Sequence, residues 1–246
     1  MTASTAMDAQ PRLRLERLVV GPSNAAAVAV CHSVITGRAT RSSPVVVCGG
    51  HGLGKSHLLQ ATCAAIAEHC PWTRTAFASG RALAQAYVAA MQEYDLDGWR
   101  MPVFEADLLI IDDLHCFAHG RLFQSELVEL LDSYWDQQKV VLASLHMPPR
   151  DDPALHPALV SRLSGGIVVD VTPPGREMRR EIVARLAREL DLDFSKPVID
   201  CLASVSFADV RPLEAAVRKL GLLAEVHGVP VDVGLAHAAL DLSVNN

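Results

Sequence analysis

The segment from Gly49 to Ser56 constrains this chain more than any other part of it, and its sequence is GGHGLGKS. It fits the pattern GxxxxGK[ST] at every fixed position. The apolar run 44–48 precedes it, and an amphipathic stretch, 56–69, begins at its last residue. A strand, a glycine-rich turn and a helix in this order form a loop that surrounds phosphate oxygens with backbone N–H groups. The sequence therefore predicts a phosphate loop within an α/β fold.

The chemistry of the motif predicts ATP or ADP with Mg²⁺ as the ligand. Lys55 is expected to reach the β- and γ-phosphates, and the Ser56 hydroxyl to bind Mg²⁺. A helix that begins near Gly54 directs its positive end at the phosphates. The predicted phosphate-contacting residues are Gly49, Gly50, His51, Gly52, Leu53, Gly54, Lys55 and Ser56.

Short apolar runs alternate with helical patterns over the first two thirds of the chain. Strands are predicted at 44–48, 75–78, 108–111, 140–144 and 167–171, and helices at 56–69, 81–92 and 124–135. Such alternation favours a parallel five-stranded sheet with helices on both faces, a three-layer αβα core. After Pro173-Pro174 only helical patterns follow, at 177–189, 198–204, 210–227 and 234–240. We therefore predict a flexible tail at 1–12, a nucleotide-binding core at 13–173 and a helical unit at 174–246.

Two carboxylates, Asp112 and Asp113, directly follow the apolar run 108–111. In open α/β sheets, ligands bind at the carboxyl ends of the strands. Asp112 is predicted to hold the Mg²⁺ that bridges the phosphates, and Asp113 to orient and polarise the attacking water. The alternative is a solvated pair at a strand end. The phosphate loop about fifty residues upstream favours the functional interpretation.

The charge, apolar runs and cysteines of the chain argue against several classes of function. The formal net charge is −6 and the sequence pI is about 5.9, which argues against autonomous binding of double-stranded DNA. No apolar run is long enough to cross a bilayer, and the N-terminus lacks a signal-peptide core, so a cytoplasmic location is expected. The six scattered cysteines form no CxxC pair and are interpreted as reduced thiols.

His115, Cys116 and His119 follow the acidic pair and offer a possible metal-binding spacing. The sequence favours the plainer alternative, an exposed loop near the nucleotide.

Six segments, taken together and in order, resemble the central AAA+ domain of the DnaA family of bacterial replication initiators. The resemblance extends over roughly residues 13–242. The segments are Leu18–Asn24, Gly49–Gln60, Leu109–Asp113, Ser161–Leu163 before Gly165-Gly166, Pro173-Pro174, and Val210–Ala216.

The resemblance implies further site residues. Val20 and Asn24 would lie on the adenine side, and His57 would join the phosphate loop. Arg162 would be an arginine finger that reaches the ATP of a neighbouring subunit, and Arg211 would reach from a helical lid toward the γ-phosphate of its own subunit. From the residues alone, Arg162 is more simply a surface ion pair and Arg211 a solvated arginine at a helix start.

The family also implies a function: a slow ATPase module that assembles head to tail, with DnaA or with itself, in the initiation of chromosomal replication or its regulation. The sequence departs from the family at four positions. Leu145 and His146 replace an Asp-Arg pair, so sensor-one function and hydrolysis are expected to be weak. Gly120 and Leu122 replace basic residues that contact single-stranded DNA. Neither a helix-turn-helix domain nor a helicase-contacting domain is recognisable.

Two alternative functions stay open at this point. Residues 10–15, QPRLRL, resemble the sliding-clamp-binding peptide of Hda, a short relative that regulates DnaA, although packing of the first strand is the favoured interpretation of Leu13 and Leu15. An Hda-like regulator would supply Arg162 in trans. A helicase-loader-like adaptor would use ATP only to control a protein contact.

Overall fold

The structure is a computed structural model, and it describes residues 14–39, 43–117, 120–207 and 209–244. Five strands form one sheet in which every neighbouring pair is parallel. They are β1 (Val45–Cys48), β2 (Thr75–Ser79), β3 (Leu108–Asp112), β4 (Val140–Leu145) and β5 (Ile167–Asp170). Their order in the sheet is β2-β3-β4-β1-β5, which confirms the predicted parallel five-stranded sheet.

Ten α-helices surround or follow this sheet in the described residues. The first six are α1 (Ala25–Ile35), α2 (Lys55–His69), α3 (Gly80–Glu93), α4 (Leu96–Phe104), α5 (Arg121–Asp136) and α6 (Pro157–Ser164). The last four are α7 (Arg176–Glu189), α8 (Lys196–Ser204), α9 (Arg211–His227) and α10 (Val233–Val244). Short 3-10 helices lie at Leu15–Arg17, Leu114–Phe117 and Pro149–Asp151.

Different helices pack against the two faces of the sheet, and together they form three layers. Side chains alternate between faces along a strand. One set of alternate positions joins the main hydrophobic cluster with α3, α4, α5 and α6, and this set includes Ile111, Ala143 and Leu145. The opposite face is covered by α2, which contacts β3 and β4. Asp112 and Ser144 fall on the α2 face, because each is one residue away from a member of the other set.

Three core helices, α1, α4 and α6, are absent from the sequence prediction. The first is almost entirely apolar, AAAVAVCHSVI, so it shows no amphipathic period. The second contains Gly98 and Pro102, which are usually read as helix breakers. It nevertheless begins at a good cap, since Asp95 accepts a hydrogen bond from Gly98 N–H at 3.0 Å.

Contacts between Cα atoms divide the chain into two compact units. The first contains the described parts of 1–18, 24–49 and 54–171, and the second contains 19–23, 50–53 and the described parts of 172–246. A second hydrophobic cluster, with Val183, Leu202 and Leu220 at its centre, holds α7, α8, α9 and α10 together. The domain boundary near residue 173 stays a prediction, and the 1–12 tail lies outside the described residues.

Glu214, on the first turn of α9, gives a pH-dependent stability prediction. Burial raises the pKa of Glu214, and Arg218 and Arg211 oppose that shift. A carboxyl group with a raised folded-state pKa stabilises the fold below its unfolded pKa, and this contribution is lost as pH rises through the folded pKa. We expect Glu214→Gln to raise the melting temperature by about 1–3 °C at neutral pH, with the difference vanishing in acid. Thermal unfolding from pH 4 to 8 measures this, with exposed Glu225→Gln as the control.

Candidate functional site

The phosphate loop connects the carboxyl end of β1 to the first turn of α2. Its backbone enters the left-handed region at Gly52, with φ +70°, and at Gly54, with φ +88°. Residues with a side chain adopt these angles only with strain. Gly54 is the N-cap of α2, and a Cβ there would meet no atom within 4 Å. The loop therefore has the backbone conformation and the open space that a phosphate cradle needs.

Lys55 is the first residue of α2 and is only 5% exposed. Its Nζ donates to the Gly49 carbonyl at 2.7 Å, so the ammonium group lies against the loop itself. Ser56 and His57 follow in the same turn and are half-buried, as are Gly49 and Leu53. Gly50 and His51 are exposed. A 15-residue helix with its positive end at this loop favours an anion here.

Within the second unit, the loop is in contact with the residues that precede α9. The Val210 N–H donates to the Gly52 carbonyl at 3.2 Å. A Cβ on Gly52 would lie 2.6 Å from Cγ of Asp209. Asp209 Oδ1 also accepts a hydrogen bond from the Arg211 N–H at 2.9 Å, an Asx-type arrangement at the helix start. Gly52 is thus required both by its backbone angle and by this close approach.

The acidic pair lies at the same edge of the sheet, since parallel strands all end there. Asp112 is the last residue of β3 and is 8% exposed. Asp113 is half-buried and has φ +53°, a left-handed angle that is uncommon for a residue other than glycine. The Ser144 hydroxyl donates to Asp112 Oδ1 at 2.6 Å and accepts from the Asp113 N–H at 2.8 Å.

The donor chemistry at this edge suits Mg²⁺. A carboxylate, Asp112, and a hydroxyl, Ser56, are hard oxygen donors of the kind that Mg²⁺ takes from proteins together with phosphate oxygens. No group of three or more His, Cys, Asp or Glu side chains in the described residues is arranged to hold a metal by itself. The alternative metal set includes His119, which lies outside the described residues.

The predicted adenine-side residues have different environments. Val20 is 52% exposed and lines an open hollow of about 480 Å³ in the second unit. Asn24 is buried at the N-cap of α1 in the first unit. The hollow has a volume within the usual range for small-molecule sites. Its other lining residues are Gly21, Pro22, Glu177, Met178, Arg180, Glu181, Ala184 and Ile199.

Leu145 and His146, which replace the Asp-Arg pair of the family, have well-defined surroundings. Leu145 ends β4, is fully buried and belongs to the main hydrophobic cluster. It therefore lies on the sheet face opposite to Asp112. The His146 ring lies beside the His115 ring, with 4.4 Å between their centroids.

Introducing the family's aspartate at position 145 is not expected to restore sensor-one function. Leu145→Asp would bury an unpaired carboxylate among apolar side chains, at a cost of about 3–5 kcal/mol in the free energy of unfolding. Leu145→Met, which nearly conserves volume, is expected to cost less than about 1.5 kcal/mol. Urea unfolding of both variants measures the difference. An aspartate variant as stable as the wild type would contradict the burial of this side chain.

Arg162, the predicted finger, is on α6 and forms a two-point ion pair with Asp132 of α5. Its Nε and Nη2 atoms lie 2.9 and 3.0 Å from the two carboxylate oxygens. The Arg162 guanidinium lowers the pKa of Asp132 through these bonds. The side chains are 42% and 47% exposed, so the pair contributes little to stability and can exchange partners. This is the arrangement that the residues alone suggest, and it leaves the finger role a prediction.

Arg211 is the exposed first residue of α9. Arg121 begins α5 and Gly120 is its N-cap; both are exposed, as is Leu122. The predicted clamp-binding peptide lies mostly outside the described residues, because these begin at Arg14. Among helices of the described residues, none combines the length and apolar character that spanning a bilayer requires.

Sequence reasoning missed three residues of this region: Ser144, Asp132 and Asp209. A weak signal exists for Ser144, since a lone hydroxyl in the otherwise apolar strand VVLASL needs a polar partner. A similar signal marks Asp209, two residues before a helix that starts Arg-Pro. No local signal links Asp132 to Arg162, because thirty residues separate them.

Comparison with known proteins gives consistent results. The family model of the bacterial DnaA ATPase domain matches residues 9–170. The chromosomal replication initiator protein DnaA of Thermomicrobium roseum is 30% identical over 240 residues, which are 98% of this chain and 52% of that protein. The chain thus spans about half the length of the curated relatives it matches.

Solved structures agree with this result. Domain III of the Thermotoga maritima replication initiation protein DnaA has a TM-score of 0.87 and 27% identity, and the match covers 96% of this chain and 98% of that chain. A replication initiator DnaA bound to AMPPCP and single-stranded DNA has a TM-score of 0.79 and 26% identity, and the match covers 87% of this chain and 66% of that chain. The motifs, the fold and the relatives therefore all indicate the same protein family.

Proposed function

This chain belongs to the bacterial DnaA ATPase domain family, and from that premise we propose that it is an ATP-binding module of replication initiation that assembles head to tail when ATP is bound. One observation carries the proposal: the glycine loop 49–56 opens α2 at the same sheet edge where β3 ends in the buried Asp112. A phosphate cradle and a hard oxygen donor at one edge suit a nucleoside triphosphate with Mg²⁺.

Nucleotide binding starts with the phosphates. Backbone N–H groups of the loop and of the first turn of α2 surround the phosphate oxygens. Lys55 exchanges its bond to the Gly49 carbonyl for the β- and γ-phosphates. A relative bound to AMPPCP, a nucleotide analogue, supports the proposal that this chain binds nucleotide. Val20 and Asn24 are the proposed adenine-side residues.

Ser56 and Asp112 are proposed to hold Mg²⁺. When bound, this ion neutralises negative charge that develops on the phosphate oxygens. Asp113 is proposed to orient and polarise the attacking water. Arg211 senses the γ-phosphate of its own subunit. The protein thus supplies positioning and charge, which is most of what phosphoryl transfer needs.

Head-to-tail assembly is proposed to depend on Arg162. A guanidinium is always charged and binds phosphate oxygens at two points. Its exposed pairing with Asp132 already shows the two-point geometry on a carboxylate. In the assembly, phosphate of the neighbouring chain's ATP takes the place of Asp132. A repeated contact of this kind builds an open filament or a ring.

Equilibrium binding of a fluorescent ATP analogue tests the nucleotide part of the proposal. We expect one saturable site per chain, displaced by ATP and ADP and strengthened by Mg²⁺. Double-stranded DNA alone is expected not to bind, given the net charge of −6. Absence of saturable nucleotide binding would contradict the proposed function.

A further inference from the structure

Ser144 on β4 is fully buried, and its hydroxyl makes two hydrogen bonds, both to the acidic pair. It donates to Asp112 Oδ1 at 2.6 Å and accepts from the Asp113 N–H at 2.8 Å. Burying a hydroxyl costs free energy unless it is hydrogen-bonded. An apolar residue would therefore suit this strand position if packing were its only task. The geometry indicates that the task of the Ser144 side chain is to hydrogen-bond Asp112 and Asp113.

Strand register explains why Ser144 and not Leu145 makes this contact. Ala143 is the partner of Ile111 in the parallel ladder between β3 and β4. One residue further along, Ser144 lies beside Asp112 on the same face of the sheet. That face is covered by α2, whose first turn carries Ser56. The next residue, Leu145, points to the opposite face.

The bond from Ser144 to Asp112 is short, as expected when a hydroxyl donates to an ionised carboxylate. Fixing one carboxylate oxygen also fixes the direction of the other. Direction matters for Mg²⁺, because this ion demands nearly ideal octahedral geometry. Groups that hydrogen-bond to a metal ligand commonly influence metal affinity through such orientation.

We propose that Ser144 is a positioning residue for the metal site: it orients the Asp112 carboxylate for Mg²⁺ and holds the Asp113 backbone in its left-handed turn. This inference rests on the proposed function, because it needs Asp112 to be a metal ligand. The acceptor half of the contact offsets part of the strain at Asp113, whose φ is +53°. One hydroxyl thus contacts both the carboxylate of Asp112 and the backbone of Asp113.

Metal affinity, rather than turnover, tests the role of Ser144. Mn²⁺ is titrated into the AMPPCP complex and free Mn²⁺ is followed by electron paramagnetic resonance. Ser144→Ala is expected to weaken Mn²⁺ binding about 10-fold. Ser144→Thr, which keeps the hydroxyl, is expected to restore it to within about twofold of the wild type. Nucleotide affinity in EDTA, where no metal is bound, is expected to be equal in all three proteins.

The other outcomes distinguish a failure of the positioning role of Ser144 from a failure of the proposed function. Equal Mn²⁺ affinity in wild type and Ser144→Ala overturns the positioning role while nucleotide binding stands. A loss of the same size in EDTA also overturns it, because it indicates general loosening of the site. A wild type without nucleotide binding contradicts the proposed function, and the role of Ser144 with it. If the alanine variant does not fold, Ser144→Cys keeps a similar volume with a weaker donor and is expected to lose Mn²⁺ affinity.

Discussion

Lys55→Ala is expected to weaken ATP binding by about 10- to 100-fold, the range that corresponds to losing one hydrogen bond to a charged group. Lys55 is 5% exposed and its Nζ lies 2.7 Å from the Gly49 carbonyl oxygen, so the ammonium is already placed at the proposed phosphate loop. Its removal takes away charge at the site while the glycine backbone remains. Titration with a fluorescent ATP analogue measures the loss.

Lys196→Ala is the matched control for this experiment. Lys196 is exposed at the first position of α8, so the variant removes the same side chain away from the loop. We expect the control to keep wild-type affinity. Unchanged affinity in Lys55→Ala, with both variants folded by circular dichroism, would exclude the phosphate-binding role of this lysine.

Arg162→Ala is expected to keep ATP affinity and to turn over ATP roughly 1,000-fold more slowly than the assembled wild type, the lower end of what an arginine finger contributes. The physical reason is that the neighbouring chain's guanidinium no longer stabilises charge on the transferred phosphate. A mixture tests the trans arrangement directly. At ATP concentrations too low to fill its weakened site, Lys55→Ala has the finger without bound ATP, and Arg162→Ala has the site without the finger. Mixing the two is expected to restore turnover that neither shows alone.

Asp132→Asn controls for the ion pair of Arg162. It removes the charged partner on α5 while leaving the guanidinium in place. Because both side chains are about half exposed, the free energy of unfolding is expected to change by less than about 1 kcal/mol. Turnover is expected to be at least that of the wild type. A loss as large as in Arg162→Ala would show that the pair supports local structure and not a finger.

Local sequence was sufficient for the sheet and the loop. The runs around Val46 and Ile110 are short, apolar and ended by glycine or aspartate, so strand position and strand end follow from the residues themselves. The phosphate loop also follows, because its glycines and lysine are consecutive. Helix α4 did not follow, since its Gly98 and Pro102 act as breakers in most contexts and tertiary packing of Trp99 overrides them here.

The contacts that complete the site could not be predicted, for a different reason. Ser144 reaches Asp112 across thirty-two residues of sequence, and only the strand order brings β3 beside β4. The orientation of Leu145 depends on the same register, since a shift of one residue would reverse the face of every side chain on β4. Comparison with the family motif identified Leu145 as a neighbour of the site, but only the fold shows that Ser144, and not Leu145, points at it.

Sedimentation velocity of the chain with ATP and Mg²⁺, compared with ADP and Mg²⁺, tests the proposed ATP-dependent assembly most directly. We expect species larger than one chain with ATP, a single chain with ADP, and a single chain with either nucleotide for Arg162→Ala. One sedimentation coefficient in both nucleotides, at concentrations that saturate the site, would contradict head-to-tail assembly through Arg162.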